Sequence, residues 1–340
     1  MSTARWIVVI LSFAAAIGVS LYIVSASWSA GDATVTLPLG AHLLAVAAVV
    51  GEVSTRASKL CFSARALRIP LRFRTAVRTC LGGDFGASIT PSRSGSEPGR
   101  FMILAQDRLP VVGVLLILFL ELFLEMLSLA AIVGVLAIVF HGSGRVVGGL
   151  VGVVGGYAVF VLGGGAAAYA LSRRSANGPP PRWASWIWLH AGRWRAIQRA
   201  LRQLRSSVHG LRDADVGLMM GAMGFSIVHV LLRLAILPVL VLAVAPETTL
   251  APLLLWPLAL LYGGAAAPAP AGGGLIEFTF KMALGGVIPA AVFGAALVWW
   301  RFYTFYLYLV LGALAAGGTV LRALRGTDEE LPAGEEATAA

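Results

Sequence analysis

Ionisable residues stand inside or beside apolar stretches of this chain, and each needs a reason to be there. Arg93, Glu97 and Arg100 belong to a Pro/Gly-broken tract, ASITPSRSGSEPGR, at residues 87–100. Glu121 and Glu125 sit in one long apolar run and Arg233 in another. Glu277 ends a second broken tract, AAAPAPAGGGLIE at residues 265–277, and Arg301 follows in the next apolar run. On insertion scales, an ionisable side chain near the bilayer centre costs on the order of 2.5–3.5 kcal/mol. Anion binding is chemistry that justifies such a cost. Arginine offers a planar donor fork that matches phosphate, and a short helix starting after Pro98 would add unpaired N–H groups and a positive dipole. The plainer alternative is that Glu97 pairs with one arginine simply to permit burial.

Glu121 and Glu125 are four apart and share a helix face, which disfavours two bare carboxylates in lipid. They are expected to face the interior and meet cations, with Arg301 and Arg233 as the natural partners. Such a network either neutralises buried charge or serves as a gating or proton-coupled device, and spacing alone admits both. Pro268, Pro270, Gly272, Gly273 and Gly274 allow close backbone approach, and Glu277 one turn beyond is placed either to contact substrate or to cap a helix. His42, His141, His190, His209 and His229 show no ligand spacing, so no metal, cofactor or catalytic residue is expected. Cys61 and Cys80 are expected to be free thiols.

The elements that must hold these residues are membrane spans. Of 340 residues, 58% are hydrophobic and 12% charged, with a mean hydropathy of +0.85, which is too apolar for a soluble globular chain. The net charge of +10 does not point to nucleic acid. Almost all the basic residues fall into two loops, 56–78 and 173–212, as expected of cytoplasmic loops. Residues 6–26, 38–53 and 110–140 read as spans of the first half, with 79–108 as a hairpin split at 90–99 that enters and leaves on the cytoplasmic side. Residues 146–171, 216–244 and 287–320 read as spans of the second half, with 250–286 as a hairpin cut at 268–274 and entering from outside.

The fold class is therefore all-α, with about six full transmembrane helices and two opposed re-entrant hairpins. Three crossings per half invert the second half (about 141–326) relative to the first (about 1–140), an inverted-repeat transporter plan. Between the halves, residues 183–212 carry Trp183, Trp186, His190, Trp194, Ile197 and Leu201 at three- and four-residue spacing with arginines between them. They read as a cytoplasmic amphipathic helix, either packed against the bundle or lying in inner-leaflet headgroups, and the tryptophans and arginines favour the second. Residues 327–340 read as a disordered acidic tail. The expected location is the cytoplasmic membrane, with both termini cytoplasmic.

The motifs resemble those of a known family. GGDFGASITPSRSGSEPGR, then PAPAGGGLIE, the Trp300-Arg301 pair and the acidic pair Glu121 and Glu125 are together similar to the lysylphosphatidylglycerol synthase transmembrane region, a flippase-like membrane domain family, over residues 43–324. Ala271 stands where the family's second motif carries glycine, and Leu122 where arginine often follows the first glutamate. The resemblance implies a fold with two re-entrant hairpins and, in the best understood members, movement of an aminoacylated phospholipid between leaflets. Those members also carry a soluble aminoacyl-transferase domain, which is not expected of the 340 residues here.

The expected function is translocation of a phospholipid or lipid-linked headgroup. Arg93, Glu97 and Arg100 would engage the phosphate, the 268–277 break with Pro268, Gly272, Gly273 and Glu277 would form the opposing gate, and Arg301 would also contact substrate. Glu121, Glu125 and Arg233 would form the coupling or structural network. Expected partners are membrane lipids, namely an anionic or aminoacylated phospholipid or a lipid-linked sugar, and a separate synthase or transferase. The alternatives are a membrane anchor or partner subunit of such an enzyme, and a membrane-embedded transferase, for which no nucleophile or base cluster is visible.

Overall fold

The computed structural model describes residues 36–90, 93–107, 109–140, 144–172, 215–263 and 274–325, together with Gly18, Tyr22, Ser25 and Trp194. Residues 6–26, the amphipathic segment 183–212, Pro268, Gly272, Gly273 and the tail 327–340 lie outside the described set, apart from the four single residues just named. The described chain is helical throughout: α1 (Leu39–Ala66), α2 (Phe73–Ile89), α3 (Ser96–Gln106), α4 (Val111–Val139), α5 (Gly144–Ser172), α6 (Val216–Leu242), α7 (Leu250–Gly263), α8 (Leu275–Leu284), α9 (Ala290–Arg301) and α10 (Leu307–Arg325). A π-helical turn, Phe302–Tyr306, joins α9 to α10. Among the described residues, four helical stretches are long and apolar enough to cross a membrane: α1, α4, α6 and the continuous Ala290–Thr319.

The largest departure from the sequence reading is α1. The apolar run ends near Val53, and the basic residues after it were expected in a loop, yet the helix continues to Ala66. A stripe on one face explains this. Ala41, Ala45 and Ala48 are followed at helical spacing by Glu52, Arg56, Lys59 and Ser63, all buried. Arg56 and Lys59 are thus core residues of a 28-residue helix, and the first basic loop shrinks to the turn before Phe73.

Neither α2, with 17 residues, nor α3, with 11, reaches across a hydrocarbon layer of about 30 Å, since a helix rises about 1.5 Å per residue. They form a helix hairpin whose turn is closed by Thr90, which accepts the Gly95 N–H at 2.7 Å and donates to the Gly86 carbonyl at 2.7 Å. The helix after the turn starts at Ser96, so Pro98 occupies its first turn, where its missing N–H costs nothing. The second pair, α7 with 14 residues and α8 with 10, is equally short.

The two hairpins pack against different elements. The first leans on α10, where Gly312 is essential to the approach: a Cβ there would stand 2.3 Å from the Leu81 carbonyl and 2.8 Å from Phe85 Cβ. The second shares a core with α4, α5 and α6, through Leu129, Ile132, Leu150, Leu234, Leu255 and Leu258. At the centre α1 packs along α6. The α4–α6 contact is pinned by Ser128 and Ser226, whose hydroxyls lie 2.9 Å apart, an interhelical bond of the kind that binds membrane helices together.

Candidate functional site

The charged side chains meet near the middle of the long helices, where Glu52 is halfway along α1 and Glu125 halfway along α4. Six cations, Arg56, Lys59, Arg93, Arg100, Arg233 and Arg301, lie among six carboxylates, Glu52, Asp84, Glu97, Glu121, Glu125 and Glu277. Isolated ionised groups at this depth are expensive, and removing one partner of such a pair strands the other. Mutual pairing is what lets the set persist.

Three linked patches can be distinguished. In the first, the Arg56 fork grips both oxygens of Asp84 while its Nε lies 3.5 Å from Glu52. Glu52 also accepts a hydrogen bond from the Tyr308 hydroxyl at 2.8 Å and faces Arg233 at 3.6 Å, so α1, α6 and α10 are tied at one carboxylate, and α2 joins them through Arg56. In the second, Arg100 bonds to Glu121 and, at 3.2 Å, to Glu97, and Lys59 reaches Glu121 at 3.4 Å and Glu125 at 2.9 Å. His229 Nε2 lies 4.0 Å from Glu125. In the third, Arg301 Nε donates to Glu277 at 2.7 Å, and the other Glu277 oxygen accepts the Gly274 N–H at 2.8 Å. Gly274 has φ 81°, a left-handed conformation that suits glycine at the start of α8.

Beside the first and third patches opens a cleft. Asp84, Ala87, Ser88 and Arg93 of the first hairpin line one side, Leu261 and Ile276 of the second hairpin another, and Arg233, Arg301, Thr304, Phe305 and Tyr308 the remainder. Three arginines therefore face one carboxylate, and that carboxylate is already held by Arg56. Arg233 donates to the Thr304 carbonyl at 3.3 Å and has its Nε without a hydrogen-bond partner. Arg93 forms no ion pair among the described residues and holds φ 56°, a backbone state that only glycine adopts without cost. The cleft presents planar cationic donors to whatever enters, the chemistry that phosphate groups match.

The structure redistributes the residues expected from sequence. Arg93, Glu97 and Arg100 do not act as one group: Glu97 and Arg100 turn toward α4, and Arg93 alone turns to the cleft. Glu121 and Glu125 face the interior, but their cations are Arg100 and Lys59 rather than Arg301 and Arg233. Arg233 pairs with Glu52 and Arg301 with Glu277 because α6 packs along α1 and α9 stands beside the start of α8. Glu52, Arg56, Lys59, Asp84, His229 and Tyr308 belong to the site and were absent from the sequence expectation. Oppositely charged residues at 52, 56 and 59, in register with the alanine stripe, are the signal that would have found the first three. Cys61 and Cys80 are both free and buried.

A family model described as lysylphosphatidylglycerol synthase TM region matches residues 4–312 of the chain. No curated protein and no solved structure matches it.

Proposed function

The chain belongs to the lysylphosphatidylglycerol synthase TM region family, and from that premise we propose that this multi-pass membrane protein moves a phosphate-bearing lipid headgroup between the leaflets of a cytoplasmic membrane. Membership ties the protein to lipid handling, and the observation that carries the finer reading is the arginine-rich cleft bordered by both helix hairpins. The hairpins act as re-entrant elements of an inverted repeat, the first entering from the cytoplasmic side and the second from outside. Broken backbone at membrane depth is tolerated where it borders a wet cavity, and a cleft between two such breaks is where a polar headgroup finds donors while its acyl chains stay in lipid.

Arg93 is the first contact, because it pairs with no carboxylate among the described residues, and Arg233 and Arg301 complete the cradle. The Pro268 to Gly274 break, with Gly272 and Gly273, forms the opposing gate, and Glu277 holds Arg301 in place rather than touching the lipid. Anionic phospholipids, aminoacylated phospholipids and lipid-linked sugars share the phosphodiester that this cradle fits. The reading as a partner subunit rests on the segment 183–212, which lies outside the described residues but for Trp194. Native mass spectrometry of the purified protein tests the proposal. Retention of a phosphodiester lipid that is anionic overall, and its loss in Arg93→Gln, is the expected result. Equal retention of the same lipids by both proteins would contradict it.

A further inference from the structure

We propose that binding of a phosphate-bearing headgroup in the cleft draws one proton from solvent into the buried charge cluster, and that the proton lands on Nε2 of His229, against Glu125. The proposal rests on the cleft being an anion site. Its first support is the charge balance: with six cations against six carboxylates among the described residues, the cluster is neutral before anything binds. A phosphodiester adds one negative charge at a depth where an unbalanced charge is costly. A proton taken up nearby restores neutrality without moving any helix.

Geometry selects the acceptor. Glu52, Asp84, Glu97, Glu121 and Glu277 each lie within ion-pair distance of an arginine, which stays charged at any physiological pH. Glu125 is the carboxylate of the cluster whose partners, Lys59 and His229, are both able to titrate. Its side chain is 22% exposed, against 1% for Glu121, so it is the less enclosed of the two.

His229 is poised to receive one. Its Nδ1 lies 3.3 Å from the Phe225 carbonyl, which can only accept, so Nδ1 carries the ring proton and Nε2 presents a lone pair toward Glu125 at 4.0 Å. Protonation at Nε2 turns that opposed pair of acceptors into an ion pair. The surrounding groups are Arg56 and Lys59 of α1, Arg100 of α3, Glu121 on the same helix as Glu125, and Arg233 one turn further along α6. Tyr157 of α5 and Tyr262 of α7 complete the cluster, and Arg301 of α9 lies across the cleft. Lys59 and the arginines oppose the extra charge on His229 in the empty state, and an anion in the cleft offsets them.

The test is titration calorimetry of the purified full chain with dihexanoyl-phosphatidylglycerol, whose charge is constant over the range used. It is run in two buffers of different ionisation enthalpy. The expected result is uptake of up to one proton per lipid bound, largest at the acid end of the range, with affinity falling by at most about tenfold per pH unit between about pH 6 and about pH 8. In His229→Gln, and separately in Glu125→Gln, the lipid still binds while the buffer dependence and the pH slope collapse toward zero. Thermal unfolding shows that both variants are folded. Binding by the wild-type protein with no proton uptake overturns the linkage and leaves the anion site standing. An unchanged uptake in His229→Gln overturns the assigned acceptor. Absence of lipid binding by the wild-type protein overturns the anion site and the linkage together.

Discussion

The first hairpin, α2 and α3, brings four charged side chains into the bundle, whereas the second, α7 and α8, brings one. Asp84, Arg93, Glu97 and Arg100 reach toward α1, α4 and the cleft, while Glu277 closes on its own helix start and on Arg301. Lys281, the other charged residue of α8, is exposed, and so are Leu275, Phe278 and Met282. Two elements of similar length and shape are thus attached by different forces. Displacing the first breaks buried ion pairs, each with an unmatched charge left behind. Displacing the second separates mostly apolar surfaces that lipid replaces at little cost, since the hydrophobic effect does not hold helices together in a bilayer. On the proposed function, the difference assigns headgroup holding to the first hairpin and opening to the second.

Variants at the two hairpins sharpen or break this contrast. Arg100→Met removes the cation bonded to Glu121 and Glu97, and should lower stability by about 3–5 kcal/mol in denaturant unfolding of the solubilised protein. Glu277→Gln keeps an acceptor for the Gly274 N–H but takes the counter-charge from Arg301, and should cost about 1.5–3 kcal/mol by the same measurement. A larger loss for Glu277→Gln than for Arg100→Met would reverse the assignment of the anchored and the movable hairpin. Gly312→Ala forces α10 away from α2 and should cost about 1–3 kcal/mol, lowering the melting temperature. The same change at Gly224 in α6, where an added Cβ meets nothing within 4 Å, should leave stability within about 0.5 kcal/mol or raise it.

Parts of this contrast were legible in the sequence. The first Pro/Gly break marks the turn between α2 and α3, Glu97 and Arg100 stand three apart on one face, and Glu277 falls in the first turn of a helix. The ion-pair partners of Glu121 and Glu125 were not legible, because spacing identifies the face a residue occupies and not the helix packed against it. Helix α1 was misread for a different reason. Hydropathy windows average over all faces, so buried charges at Glu52, Arg56 and Lys59 look like the start of a cytoplasmic loop. His229 carries no role in the sequence because spacing reveals only metal-ligand patterns, whereas its neighbours, the Phe225 carbonyl and Glu125, come from local backbone and from packing. Arg93 was flagged with the wrong companions: the left-handed turn that sends it to the cleft is a backbone property that no side-chain pattern encodes.

The measurement closest to the central claim follows the movement of fluorescent phosphatidylglycerol between leaflets of reconstituted vesicles, with wild-type protein, Arg93→Gln and protein-free vesicles side by side. The account predicts that the wild-type protein accelerates exchange over empty vesicles, and that Arg93→Gln, unchanged in stability, loses about tenfold or more of that acceleration, as expected when a charged hydrogen bond to the passing group is removed. Exchange by the wild-type protein no faster than in empty vesicles, or an Arg93→Gln protein as fast as wild type, would contradict it.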